Sequence, residues 1–167
     1  ALKYTENIGT IVESTKIPTF LELLNYCKQV GVRVYPEIKG VRAQADIQLM
    51  IDDVYAAGME KETFFQSGST SNMRYFRGLD GFLSIGLLSA VSDQASYETL
   101  INLVSSLGNG FIYWHYTVLL ATPGIVTYAR ARNVDVSAWT VDNNDSAKEL
   151  MLLGVNKIMS NIQLRVL

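Results

Sequence analysis

The sequence predicts an α/β protein built on a parallel sheet with helical crossovers. Two observations carry this. Helix-like and strand-like segments alternate from residue 17 onward with short connections, giving six βα-type alternations. Two strand-like runs, 32–39 and 134–141, each set a polar face against an apolar one. A strand between two helical layers is apolar on both sides, whereas one lining a lumen carries polar groups inward. An open doubly wound sheet and part of a closed (β/α)8 barrel both satisfy the alternation. An open nucleotide-binding sheet usually has a Gly-rich turn after its first strand, but Gly108-Asn109-Gly110 precedes a strand. A barrel has eight strands and typically about 250 residues; this chain has 167.

The elements follow in order. Residues 1–16 are mostly polar without a sustained period and read as a connection arriving from something upstream. Thr19 and Glu22 form a capping box that opens a helix over 19–30, with Phe20, Leu23, Leu24 and Cys27 as its stripe and Gly31 as its end. A strand over 32–38 follows. A helix over 44–57 presents Ile47, Met50, Ile51 and Val54 and closes at Gly58. Then come a strand at 63–67, a helical turn at 71–78 and a strand at 82–88. A helix over 94–107 turns Leu100, Leu103, Val104 and Leu107 inward. A strand at 111–115 leads to a helix near 122–132, with Pro123 where the first turn tolerates it. The strand 134–141, a helix over 145–153 and a strand over 155–160 complete the set. Asp142-Asn143-Asn144-Asp145 reads as a turn with Asn144 or Asp145 as N-cap.

Bulk properties exclude some functions. The chain is 49% hydrophobic and 18% charged with net charge −2, which gives no broad electrostatic reason to bind nucleic acid or an anionic membrane. No apolar run is long enough to span a bilayer. The single cysteine, Cys27, cannot form an internal disulfide and reads as a buried, inert thiol.

Tyr35-Pro36-Glu37-Ile38-Lys39 is the most informative stretch. At period two, Val32, Val34, Pro36 and Ile38 share one face, and Arg33, Tyr35, Glu37 and Lys39 share the other. A carboxylate and an ammonium thus stand together at the C-terminal end of a strand, where parallel α/β proteins place chemistry. They suggest a metal or phosphate site, against the plainer reading of a surface ion pair. On the strand 134–141, Asp135, Ser137 and Trp139 oppose Val134, Val136 and Ala138. His115, among Phe111, Tyr113, Trp114 and Tyr116, reads as a packed, hydrogen-bonded histidine rather than a ligand.

These segments resemble the glycerophosphodiester phosphodiesterase family. Ile17-Pro18-Thr19-Phe20-Leu21-Glu22 looks like the family's helix start, and Glu37-Ile38-Lys39 like its Glu-Ile-Lys strand. Phe65-Gln66-Ser67, Ile85-Gly86-Leu87-Leu88, Trp139-Thr140-Val141-Asp142 and Gly154-Val155-Asn156-Lys157-Ile158 follow in the family's order. The resemblance implies a (β/α)8 TIM-barrel fold, of which this chain, 1–167, supplies the C-terminal portion, about six of eight βα units. It implies hydrolysis of glycerophosphodiesters to glycerol 3-phosphate and an alcohol, assisted by a divalent ion, Mg²⁺ or Ca²⁺. Glu37 matches a carboxylate ligand of that ion. Lys39 matches a catalytic, substrate-binding basic residue near the phosphate, and Trp139 an aromatic wall of the substrate pocket. A hard cation takes oxygen ligands and neutralises phosphoryl charge; a lysine adds a second point charge.

The departures are equally specific. The family's His-Arg-Gly strand, Glu-x-Asp strand and His-Asp segment, with its two catalytic histidines, have no counterpart here. His115 matches neither histidine. The family's Ser-Phe is Ser67-Gly68, and its terminal Thr-Asp is Ser160-Asn161. The chain alone is therefore expected to be catalytically silent, with the remaining ligands upstream. A barrel lacking its first strands exposes two sheet edges, so an upstream segment or a second chain is expected to cover them. A different class of function also fits: a non-catalytic binding or structural module for glycerol-phosphate polymers or glycans, in a cell-surface or phage-tail assembly.

Overall fold

In the computed structural model, the backbone is described for residues 3–8 and 11–165 and the side chains for 17–165. The N-terminal stretch, expected as an irregular connection, contains two strands instead. β1 (Lys3–Ile8) pairs antiparallel with β2 (Ile11–Lys16), from Lys3 opposite Lys16 to Ile8 opposite Ile11. Thr5, Ile8, Ile11, Val12 and Thr15 supply β-branched residues that favour extended backbone. Their alternation is too polar to announce a buried face.

α1 (Phe20–Val30) starts at the expected capping box: the Glu22 N–H donates to Thr19 Oγ1 at 3.2 Å, and the Thr19 N–H to Glu22 Oε2 at 2.7 Å. It ends at Gly31, which adopts φ 70° and caps the Cys27 and Lys28 carbonyls. Leu24 is fully buried, whereas Cys27, expected to be buried, is only half-buried. α2 (Gln44–Ala57) buries Ile47, Ile51 and Val54.

The segment 32–39 is not a regular strand, but it does enter the parallel ladder. Val34 and Glu37 form isolated parallel bridges with Thr63 and Gln66. The Val34 and Ile38 N–H groups donate to the carbonyls of Glu62 and Gln66, and the Val34 and Pro36 carbonyls accept from Phe64 and Gln66. Pro36 has no N–H, so one rung is missing and regular pairing is interrupted.

Beyond it runs a five-stranded parallel sheet in strict sequential order: β3 (Phe64–Ser67), β4 (Ser84–Ser89), β5 (Gly110–His115), β6 (Asp135–Trp139) and β7 (Lys157–Ile158). A doubly wound sheet reverses its strand order at a switch point. This one never does, which is the wall of a barrel. The crossovers are α3 (Thr70–Leu79), α4 (Gln94–Leu107), α5 (Tyr116–Ala121), α6 (Gly124–Arg130) and α7 (Asn144–Leu153). The expected turn at 71–78 is a full helix, N-capped by Ser69. The expected helix near 122–132 is α6, and a further helix that the sequence pattern did not predict, α5, precedes it, burying Leu119 and ending before Thr122 and Pro123. α7 is N-capped by Asn143, not Asn144 or Asp145; Asn143 Oδ1 accepts the Ser146 N–H at 2.8 Å.

Successive strand residues point to opposite faces. Phe65, Ile85, Leu87, Ile112, Trp114, Val136 and Ala138 form the outer, helix-covered core and are at most 1% exposed. The other face lines the lumen: Phe64 and Gln66, Gly86 and Leu88, Phe111, Tyr113 and His115, then Asp135, Ser137 and Trp139. Gly86 is required there, since a Cβ would overlap the Phe111 ring. Toward the N-terminal end the lumen is filled. Lys157 Nζ sits 4.9 Å from the Phe64 and Phe111 ring centres and 3.7 Å from Asp135 Oδ2.

Candidate active site

At the C-terminal ends of the strands the lumen opens into a pocket of about 320 Å³ lined by Glu37, Gln66, Gly68, Leu88, Trp139 and Met159, among others. The chain brings Glu37 and Trp139 there from residues a hundred positions apart, because 32–39 opens this wall of the barrel and β6 nearly closes it. Trp139 is held in place. Its Nε1–H donates to the Tyr113 carbonyl at 3.2 Å, and the His115 ring meets it edge-on at 4.9 Å. His115 Nδ1 lies 2.7 Å from Thr117 Oγ1. Tyr113 below is pushed up to about 12 by burial and then by the neighbouring Tyr35, so its phenol stays protonated at neutral pH.

Lys39 stands differently. Its Nζ is 3.7 Å from Glu37 Oε2, and its side chain is 76% exposed. It does not line the Trp139 pocket. It lines an adjacent groove of about 460 Å³ with Glu37, Arg42, Asp46, Leu49 and Met50. Glu37 is therefore the shared wall: on one side the indole, on the other the two basic residues. An ion pair this exposed adds little stability by itself.

The loop that carries Lys39 and Arg42 is tied down by residues that the sequence reading did not single out. Asn72 on α3 is fully buried. Its Nδ2 donates to the Gly40 carbonyl at 2.6 Å and to Ser67 Oγ at 3.1 Å, and its Oδ1 accepts the Arg42 N–H at 2.9 Å. Ser67 Oγ in turn donates to the Ile38 carbonyl at 2.8 Å. Arg42 Nε closes back on the Lys39 carbonyl at 3.0 Å. The signal available in the sequence was an asparagine on the apolar side of a helix, beside Met73 and Phe76. In the loop after β6, Asp142 accepts from the Asn161 N–H at 2.8 Å, and also from its Nδ2 and Ser160 Oγ. The backbone and side chain of Asn161 hold its carboxyl below the ordinary value.

Among the described residues no group of three or more His, Cys, Asp or Glu is placed to hold a metal ion. Among the described residues, Glu37 is the single carboxylate on the Trp139 pocket. It is a hard oxygen donor of the right kind, but a Ca²⁺ or Mg²⁺ ion takes about six or more oxygens. The residues described here fit part of such a site. A second hollow of about 510 Å³, lined by Arg130, Asn133, Asp135 and Asn156, lies at the N-terminal end of the strands, the end that serves stability in barrels. No helix among the described residues is long and apolar enough to cross a membrane.

The family model for the glycerophosphoryl diester phosphodiesterase family matches residues 3–162. The chain belongs to this family. No curated protein sequence matches it. Solved structures with the same fold include a glycerophosphodiester phosphodiesterase from Parabacteroides distasonis, 21% identical with a TM-score of 0.75, covering 89% of this chain and 61% of its own. A glycerophosphodiester phosphodiesterase from Agrobacterium tumefaciens is 17% identical with a TM-score of 0.64, covering 90% of this chain and 59% of its own. A phosphodiesterase from Oleispira antarctica, solved with the product sn-glycerol-3-phosphate, is 15% identical with a TM-score of 0.63, covering 89% of this chain and 57% of its own. The family chain therefore spans about 57–61% of the length of these three structures.

Proposed function

We propose that this chain forms the substrate-binding part of a barrel that hydrolyses glycerophosphodiesters to glycerol 3-phosphate and an alcohol. One observation carries the reading: Glu37 and Trp139 line a single pocket at the C-terminal ends of the strands. The complex of the Oleispira enzyme with sn-glycerol-3-phosphate supports a glycerophosphate as the ligand.

The residues divide the work by chemistry. Trp139 offers an apolar face for the carbon backbone of glycerol. Lys39, on a flexible and exposed stem, reaches the phosphoryl oxygens as a point charge. Glu37 supplies one oxygen ligand to Mg²⁺ or Ca²⁺, and the bound ion supplies neutralisation of the phosphoryl charge. The further ligands, and the histidines for general acid and base steps, come from outside the described residues. The single histidine, His115, is engaged with Thr117 behind the indole. The outer edges of the 32–39 segment and of β7 have no strand partner among the described residues. An upstream segment of the same protein, or a second chain, covers them in the working barrel.

By itself the chain is then catalytically silent. Glycerophosphocholine with added Mg²⁺ or Ca²⁺ tests this. No turnover is expected; robust turnover abolished by Glu37→Gln would show that a complete site exists here. The lack of a three-ligand cluster among the described residues also favours a second reading, a binding module that holds glycerol phosphate without cleaving it. An upstream segment that restores turnover when added would exclude it.

A further inference from the structure

One polar side chain on the pocket wall carries an unpaired atom. Gln66 is 3% exposed, lies on the lumen face of β3 and lines the Trp139 pocket. Its Nε2 donates to the Tyr35 carbonyl at 3.3 Å, which fixes the amide's orientation. Its Oε1 is buried and has no hydrogen-bond partner. Buried acceptors are almost always satisfied, and an orphan at a pocket wall points to a missing donor. Gln66 is also the direct cross-strand partner of Glu37, so the two acceptors stand side by side.

We infer that Gln66 is a specificity-determining residue whose Oε1 accepts a hydrogen bond from a hydroxyl of the bound ligand. This rests on the reading of the pocket as a glycerophosphate site. The chemistry selects the donor. An amide oxygen cannot pair with a phosphate oxygen, since both accept. A carbon chain against Leu88, Met159 and Trp139 offers it nothing. A polyol does both: its C–H groups cover the indole while a hydroxyl faces Gln66.

The test uses the full chain and three probes: sn-glycerol 3-phosphate, 3-hydroxypropyl phosphate, which lacks the central hydroxyl, and 2-hydroxypropyl phosphate, which lacks the terminal one. Wild type should bind one of the deoxy probes roughly tenfold more weakly than glycerol 3-phosphate, the size of one neutral hydrogen bond. Gln66→Met keeps the volume and removes the acceptor; it should bind that probe and glycerol 3-phosphate equally. An unchanged preference in Gln66→Met would overturn the assignment while leaving the glycerophosphate reading intact. So would weaker Mg²⁺ or Ca²⁺ binding with the preference intact, which would make Oε1 an ion ligand. Absence of wild-type binding to all three probes would overturn both. Should Gln66→Met not fold, the wild-type Gln66 side-chain amide NMR signals serve instead. They should shift with glycerol 3-phosphate and not with the discriminating probe; equal shifts with both would refute the contact.

Discussion

Replacing Asn72 with alanine should destabilise the protein well beyond what a surface asparagine would. Asn72 makes contacts to the Gly40 carbonyl, the Arg42 N–H and Ser67 Oγ at 2.6, 2.9 and 3.1 Å, from a fully buried position. A typical internal hydrogen bond contributes about 0.5–1.5 kcal/mol net, and a buried group left unpaired costs about 1–3 kcal/mol. Gly40 and Arg42 are exposed, so water takes over part of their bonding. Ser67 keeps the Ile38 carbonyl and the Ser69 N–H as partners. These corrections place the loss at roughly 3 kcal/mol, equivalent to a fall in melting temperature of about 6–12 °C for a chain of this length. Urea titration with an unchanged m-value is the assay. The Ser67→Ala, Asn72→Ala double mutant should lose less than the sum of the singles, because the residues share one network. A loss below about 0.5 kcal/mol, or strict additivity, would show that the 39–42 loop is not held in this way.

Other predictions follow from single contacts. Gly86→Ala places a Cβ in the Phe111 ring and should cost about 1–3 kcal/mol by overpacking, read as a lower urea midpoint. Asp80 gives a pH signature. Partial burial alone would raise its carboxyl, but the Leu83 N–H, the Tyr55 hydroxyl, the Phe82 N–H and the charge of Arg77 outweigh burial and hold it below its ordinary value. Its native value is below the unfolded one, so this stabilisation is complete at neutral pH and fades as pH falls through the native value. The stability gap between wild type and Asp80→Asn should be constant above about pH 5 and shrink below it; a gap that widens in acid would reverse the sign. Trp139→Ala should weaken glycerol 3-phosphate binding while leaving the far-UV circular dichroism unchanged, whereas unchanged affinity would remove the indole from the site.

The legible parts of this chain were those whose signals are local. The Thr19–Glu22 capping box, Gly31 and Gly58 as helix ends, and the apolar runs that form β4 and β5 depend only on neighbours in sequence. Sequential strand order was legible through the family's motifs and not through periodicity, which fits an open sheet equally well. What stayed hidden needed tertiary partners. The residues of β1 and β2 alternate too little in sequence to give a clear period. α5 fully buries one residue, Leu119, and with six residues it is too short to show a stripe. Pro36 breaks a ladder rung that sequence counting does not see. Glu37 and Trp139 were named as site residues and share a pocket, but Lys39 points into the next groove, since an alternating face does not specify how far along a mouth each side chain leans. Gln66 lay unnoticed inside a quoted motif; its meaning depends on an unpaired oxygen that only the packed lumen reveals.

The most direct measurement follows the two tryptophan indole N–H signals by NMR as glycerol 3-phosphate is added, with and without Ca²⁺. The Trp139 signal should shift saturably, the Trp114 signal, bonded to the Val91 carbonyl on the helix side, should stay still, and Glu37→Gln should abolish the Ca²⁺ enhancement. A Trp139 signal that never moves, or an ion effect indifferent to Glu37, would contradict the claim that these two residues form one ligand site.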